Sequence, residues 1–242
     1  MRVYVVGSSG TFPAPGRPAA GFVLVQGDVR VWCDAGPGTF MSLPFDSDLI
    51  DAVVVSHQHP DHCIDLMAAY HAWTYRPVPR DPVPLYAPQS VWDRMVGFIE
   101  KEPDCFEFHP VDTGDSAQFG DMSVEFVAMD HSVPTVGSRW EANNRTLFYT
   151  GDTGPEGDWQ KAAAAVDVLL SEASVQGPTE TKTFSQHLTA GEAGEIARRL
   201  GVRRLILTHI PPYLDPAVAV SEAERTFDRP VQLAVPGTSF DV

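Results

Sequence analysis

At 242 residues and 26.4 kDa the chain has the length of one large domain or two small ones, and a 43% hydrophobic content is enough for a sizeable core. Thirty-two acidic residues face 17 basic ones, a formal net charge of −15, so the Lys and Arg footprint needed to grip folded RNA or DNA is missing. No run approaches the roughly 18 consecutive apolar residues of a membrane helix, and the three cysteines, Cys33, Cys63 and Cys105, have no CxxC spacing and suggest no disulfide framework.

The opening run from Met1 to Gly7 breaks at a glycine too early for a signal-peptide core, so it reads as a first strand of a cytoplasmic protein. Runs at 2–6, 20–26 and 28–34 are rich in β-branched residues and closely spaced, which predicts antiparallel strands with turns such as Gln26-Gly27-Asp28. Asp51-Ala52-Val53-Val54-Val55-Ser56 predicts a strand buried on both faces. Helical periodicity follows at 62–75 and 89–101, with a proline-rich connection through a short strand near Leu85. Strands are predicted at 122–130, 145–150, 166–170, 203–208 and 231–234, and helices at 158–165, from Thr189 to about residue 200, and at 216–227. Thr189-Ala190-Gly191-Glu192 has the pattern of a capping box. Two halves, each running from strands into helices, predict an α+β fold. It is a four-layer αβ/βα sandwich of two packed mixed sheets with helices outside, in a single domain over 1–242.

Directly after the buried strand comes Ser56-His57-Gln58-His59-Pro60-Asp61-His62. His57 and His59, two apart in extended chain, can converge on one ion, while Asp61 and His62 at a helix start can turn toward a second. Imidazole and carboxylate together suit Zn²⁺ and its first-row neighbours.

The His57-x-His59-x-Asp61-His62 block resembles the signature of the metallo-β-lactamase fold, and the resemblance can be followed along nearly the whole chain. It implies further ligands from His131 in Met129-Asp130-His131, Asp152 in Gly151-Asp152-Thr153-Gly154, and His209 in Leu207-Thr208-His209. In that scheme His57, His59 and His131 hold one divalent ion, and Asp61, His62 and His209 hold the other. Asp152 bridges them. Two dications sharing a carboxylate and a water lower that water's pKa and supply hydroxide at neutral pH. Zinc is the first expectation, and the same ligands accept manganese or iron.

Asp152 points away from the true β-lactamases, which usually lack the bridging aspartate. Cys63-Ile64 departs from the small residues that follow the block in glyoxalase-like members, and Cys63 itself reads as a packing residue rather than a ligand. Ser185-Gln186-His187-Leu188-Thr189, followed by Thr208-His209-Ile210-Pro211-Pro212, is similar to the ribonuclease Z-like branch. The branch's extra histidine protonates the leaving oxygen of a phosphodiester, a role that would fall to His187. Glu172 would orient it, and Asp61 completes the catalytic set. The protruding tRNA-holding arm of ribonuclease Z finds no room here. The resemblance is therefore to the compact subgroup associated with cyclic nucleotide hydrolysis, which implies a small phosphodiester such as 3′,5′-cyclic AMP as substrate and is compatible with a homodimer. Alternatives are a tRNA 3′ endonuclease of the ribonuclease Z type, another ester or lactone hydrolase on the same metals, or a metal-binding protein without activity. The Gly7-Ser8-Ser9-Gly10 turn fits neither a dinucleotide nor a Walker loop and is expected, with Asp34-Ala35-Gly36, to border the metal cleft. His71 and His109 are expected to be structural, and Trp73, Tyr75 and Trp92 to lie in the core or line the pocket.

Overall fold

Alternation of apolar residues along the strands fixes the architecture of the computed structural model, which describes residues 1–242. The chain opens with an antiparallel meander, β1 (Arg2–Gly7), β2 (Gly21–Gln26) and β3 (Val29–Cys33). It then turns parallel through β4 (Ala52–Val54), β5 (Val83–Ala87) and β6 (Phe106–Pro110). Between these strands lie α1 (Pro60–Cys63), α2 (Leu66–Thr74) and α3 (Gln89–Ile99). The second half repeats the plan. β7 (Ser116–Phe119), β8 (Met122–Ala128), β9 (Val136–Ala142) and β10 (Arg145–Tyr149) form a meander. β11 (Val168–Glu172), β12 (Arg204–Thr208) and β13 (Gln232–Leu233) then pair in parallel, with α4 (Trp159–Ala162), α5 (Ala190–Arg199) and α6 (Pro216–Phe227) in the connections. The last strand, β14 (Ser239–Asp241), returns to pair with β1, so each sheet has seven strands.

The two-residue period of a strand sends alternate side chains to opposite faces. Val3, Val5, Phe22, Leu24 and Val31 of the first sheet meet Val124, Phe126, Trp140, Leu147 and Leu170 of the second in one buried layer. Their neighbours face outward: Val23, Trp32, Val53 and Leu85 pack under α2 and α3 through Leu66, Tyr70, Trp73 and Met95. Phe148, Leu169, Leu205 and Leu207 pack under α4, α5 and α6 through Trp159, Ile196 and Phe227. Trp32, Trp140 and Trp159 are fully buried, and each large side chain so placed contributes about 1.5–3 kcal/mol relative to exposure. The four-layer sandwich of two mixed sheets with helices outside is the fold the sequence pattern predicts. No helix is long and apolar enough to cross a membrane.

Several elements differ from expectation. The helix predicted over 62–75 is two, α1 and α2, because the chain turns at Ile64 and Asp65, where the Asp65 carboxylate accepts the Phe40 N–H at 2.8 Å. The helix predicted over 158–165 is a single turn. Strands β6, β7, β9 and β14 carry polar or proline residues at their solvent-facing positions, and their apolar alternation is too weak to read. Tyr75, expected in the core, is 69% exposed at the end of α2, whereas Trp73 is buried and the half-buried Trp92 stacks on Phe108. His71 donates to the Met67 carbonyl and His109 stacks on Tyr86, both structural contacts.

Candidate metal centre

Strands β3, β4, β10, β11 and β12 end at one rim of the sandwich, and the residues immediately beyond them supply the site. Such carboxyl ends are where parallel sheets place ligands. Beyond β4, the extended His57-Gln58-His59 stretch runs into α1, which starts on Pro60 at its first turn, a position suited to proline's fixed φ. One short segment thus presents His57, His59, Asp61 and His62. His131 follows β8, Asp152 follows β10 and His209 follows β12. His209 sits at φ +55°, a left-handed conformation costly for a residue with a Cβ. A Cβ on Gly10 would stand 2.5 Å from the His209 carbonyl oxygen, so this close approach of the 8–11 turn requires glycine. The Thr11 N–H beside it donates to Asp61 Oδ2 at 2.8 Å, which places this turn at the edge of the site.

The seven side chains form two groups. His57 Nε2 and His131 Nε2 lie 3.0 and 3.1 Å from His59 Nδ1. His62 Nε2 and His209 Nε2 lie 3.0 Å apart, with Asp61 Oδ2 3.2 Å from His209. Asp152 stands between them. Its Oδ2 is 3.7 Å from His57 and 3.9 Å from His131, while its Oδ1 is 3.2 Å from His62 and 3.3 Å from His209. The two oxygens of one carboxylate therefore face the two groups separately. Asp152 Oδ1 is buried without a hydrogen-bond partner, an arrangement that is costly unless a cation completes it. Five imidazoles and two carboxylates at these separations are a donor set for two divalent first-row ions.

Four of the five imidazoles anchor the nitrogen they turn away from the cluster, the exception being His59, which turns Nδ1 inward. His57 Nδ1 donates to Ser56 Oγ at 3.0 Å, His62 Nδ1 to Asp34 Oδ2 at 2.7 Å, His131 Nδ1 to the Gln186 carbonyl at 3.2 Å and His209 Nδ1 to Ser174 Oγ at 2.8 Å. Such partners fix tautomer and ring plane. Asp34 and Ser174 are not identifiable as site residues from the sequence, although it places the Asp34-Ala35-Gly36 turn at the cleft. Asp34, at φ +56°, also accepts from the Ser56 N–H and the Tyr149 hydroxyl at 2.7 and 2.6 Å. Cys63 stays out of both groups. Its thiol donates to the Gln58 carbonyl at 3.3 Å, and burial pushes its pKa up to about 12.

The electrostatics suit a cation. Burial holds His57, His59 and His131 below the ordinary imidazole range, so they present lone pairs. Burial opposes ionisation of Asp61 and Asp152, but His62 and His209 outweigh it and keep both carboxyls well below the usual range. His62 is drawn upward against its burial by Asp152, Asp34 and Asp61. The pocket is built around positive charge.

His187 and Glu172 complete the rim. Glu172, fully buried at the end of β11, accepts the Thr153 N–H at 2.6 Å and the Ser174 hydroxyl at 2.5 Å, and lies 3.1 and 3.2 Å from His187 Nδ1. A nitrogen of His187 lies within 4.8 Å of donor atoms of Asp152 and His209. Burial disfavours the charged imidazole, but Glu172 outweighs it and raises the His187 pKa to about 9.

The sequence model of the beta-lactamase superfamily domain matches residues 29–210. The chain belongs to this superfamily. It is a metal-dependent hydrolase of the metallo-β-lactamase fold, with a His/Asp cluster able to bind metal ions. Over 254 alignment positions, gaps included, this hydrolase is 32% identical to the uncharacterized protein Rv1339 of Mycobacterium tuberculosis, covering 100% of this chain and 92% of that protein. It is 26% identical to the probable metallo-hydrolase YhfI of Bacillus subtilis over 98% of each chain. The YhfI crystal structure superimposes on the hydrolase with a TM-score of 0.89, covering 99% of this chain and 98% of that one at 24% identity. The ribonuclease Z of Methanopyrus kandleri is 26% identical, covering 92% of this chain and 91% of that enzyme.

Proposed function

We propose that this hydrolase cleaves a small phosphodiester, a 3′,5′-cyclic nucleotide such as cyclic AMP, to the nucleoside monophosphate. The observation that carries the reading is a histidine fixed by a buried carboxylate beside the Asp152–His209 edge of the cluster. His57, His59 and His131 would hold one divalent ion and Asp61, His62 and His209 the other, with Asp152 between; zinc is the first candidate. When bound, two such ions lower the pKa of water and offset the negative charge that builds on the phosphoryl oxygens.

The chain's own residues supply the other end of the displacement. His187 binds Glu172 through Nδ1, so Nε2 is free to face the substrate. As water's oxygen bonds to phosphorus, the bond to the leaving oxygen breaks, that oxygen keeps the electron pair, and Nε2 gives it a proton. A pKa near 9 keeps His187 protonated at neutral pH for that task.

A cleft of about 780 Å³ opens beside His131, between the start of α3 and the 128–136 segment. Asp112 and Asp115 line it, and no Lys or Arg does. A single diester with a neutral sugar fits such walls better than a chain of phosphates, which favours a cyclic nucleotide over RNA. The kinship with ribonuclease Z keeps tRNA 3′ processing as the second reading.

Turnover of cyclic AMP and of a precursor tRNA by one metal-analysed preparation, with zinc and with manganese, tests the proposal. Cyclic AMP hydrolysis without tRNA cleavage is expected; tRNA cleavage alone would overturn it. His187→Ala should slow esters with poor leaving groups by roughly 10²- to 10⁴-fold while slowing a 4-nitrophenyl ester far less. Equal losses on the two substrates would remove the general-acid role.

A further inference from the structure

The segment at residues 175–189 carries His187 and closes on itself through a parallel bridge between Val175 and Thr189. Most side chains at its tip are exposed, including Phe184 at 61%. Lys182 is the exception. Of the chain's three lysines, Lys101 and Lys161 are exposed, while the Lys182 side chain is only 9% exposed. A lysine is withdrawn from water only when its ammonium finds partners. It also lies at the start of α5, where the helix dipole disfavours a cation.

Its partners explain the placement. Lys182 Nζ donates to Glu192 Oε1 and Oε2 at 2.8 and 2.9 Å, and to the His187 carbonyl at 3.2 Å. Glu192 in turn accepts the Thr189 N–H at 2.8 Å and donates its own N–H to Thr189 Oγ1 at 3.0 Å, the reciprocal capping box of α5. The backbone is thus fastened on both sides of the buried Leu188, at the His187 carbonyl by Lys182 and at the Thr189 N–H by Glu192. Glu172 sets the direction of the imidazole, and backbone bonds from His187 to the Phe184 carbonyl and from Val175 to the Leu188 carbonyl, 3.3 and 3.2 Å long, hold the chain on either side of it. The clasp adds a shorter, charge-assisted anchor between Lys182 and Glu192 that reaches the His187 carbonyl itself.

We propose that Lys182 is a positioning residue, which through Glu192 and the His187 carbonyl sets how closely His187 approaches the leaving oxygen. This rests on the general-acid reading of His187. Lys182 touches no residue of the metal cluster and reaches the reaction only through the backbone. Displacement of an acid by an ångström costs up to about 10²-fold when proton transfer is demanding, and little when the leaving group departs unaided.

The readout is the ratio of kcat for an alkyl phosphodiester to kcat for a 4-nitrophenyl phosphodiester, measured at equal metal content. Lys182→Met should lower that ratio by about 10-fold or more, with the metal content of the wild type, and Lys182→Arg should recover most of it. An unchanged ratio in Lys182→Met, or equal losses on both esters, would overturn the proposal. If Lys182→Met does not fold, Glu192→Gln removes the charge pair while keeping a capping side chain, and the same fall in ratio is expected of it. His187→Ala is the control that separates two failures. A collapsed ratio in His187→Ala with an intact ratio in the clasp variants would refute the clasp alone. An intact ratio in His187→Ala would refute the general-acid reading, and the clasp with it.

Discussion

Asp34 shows how much a single carboxylate can hold in place. It accepts from His62, Ser56 and Tyr149 at once, in a left-handed backbone conformation that favours glycine, and so locks the imidazole nearest the centre of the cluster. Asp34→Asn should weaken metal affinity by about 10- to 100-fold in a chelator competition, the usual loss when an outer partner of a ligand is removed. Wild-type affinity in that variant would show that His62 needs no such anchor. The three thiols belong to the same scale. Cys33, Cys63 and Cys105 are buried and burial raises all three pKa values, so a thiol reagent should find almost none in the folded protein and three after denaturation. Four of the seven cluster residues were legible as a group because they fall within six positions after an apolar strand. His131, Asp152 and His209 became legible only through resemblance. Asp34 and Ser174 were not, because each meets its histidine across a separation, 28 and 35 residues, that no local pattern records.

At the scale of elements, the apolar strands β1 to β4 and β10 to β12 and the amphipathic helices α3, α5 and α6 could be read directly, since burial imposes a period on each. Helix α4 was legible but shorter than expected, and the weakly patterned β6, β7, β9 and β14 were not, because neighbouring strands rather than their own sequence hold them in the sheets. The capping box at Thr189 is the most local of the correct expectations, and Thr189→Ala should cost about 1 kcal/mol in a denaturant titration. The start of β11 is fastened to the start of β10 by Asp167, which accepts from the Thr146 N–H and hydroxyl and pairs with Arg145 and Arg203. Burial opposes the charge on Asp167, but these donors prevail and its pKa falls below 3.8. A carboxyl depressed in the folded state stabilises the fold above its unfolded pKa and loses that contribution as pH falls through the folded value. Asp167→Ala should therefore cost about 1–3 kcal/mol at pH 7, and the difference from wild type should shrink below pH 4. A difference independent of pH would assign the effect to packing.

For the whole molecule, the pairing of two sheets matters because it brings the loops after β3 and β4 against those after β8, β10, β11 and β12. The cluster is therefore a tie between the halves. Ions that bind only the folded chain stabilise it by mass action, about 2.7 kcal/mol at a free concentration 100 times Kd. A chelator should accordingly lower Tm by several degrees, and an unmoved Tm would mean that the halves hold without the ions. The net charge of −15 acts at the same scale, and with the acidic cleft it opposes binding of a polyanion such as folded RNA.

We propose that one carboxylate, Asp152, joins two ion sites. Elemental analysis of the purified hydrolase and of Asp152→Ala, after equilibration with zinc and removal of free metal, tests it most directly. Two ions per wild-type chain, falling to one or none in the variant with loss of turnover, is the predicted result. A wild-type chain that saturates with one ion, or a variant that keeps two ions and full turnover, would contradict it.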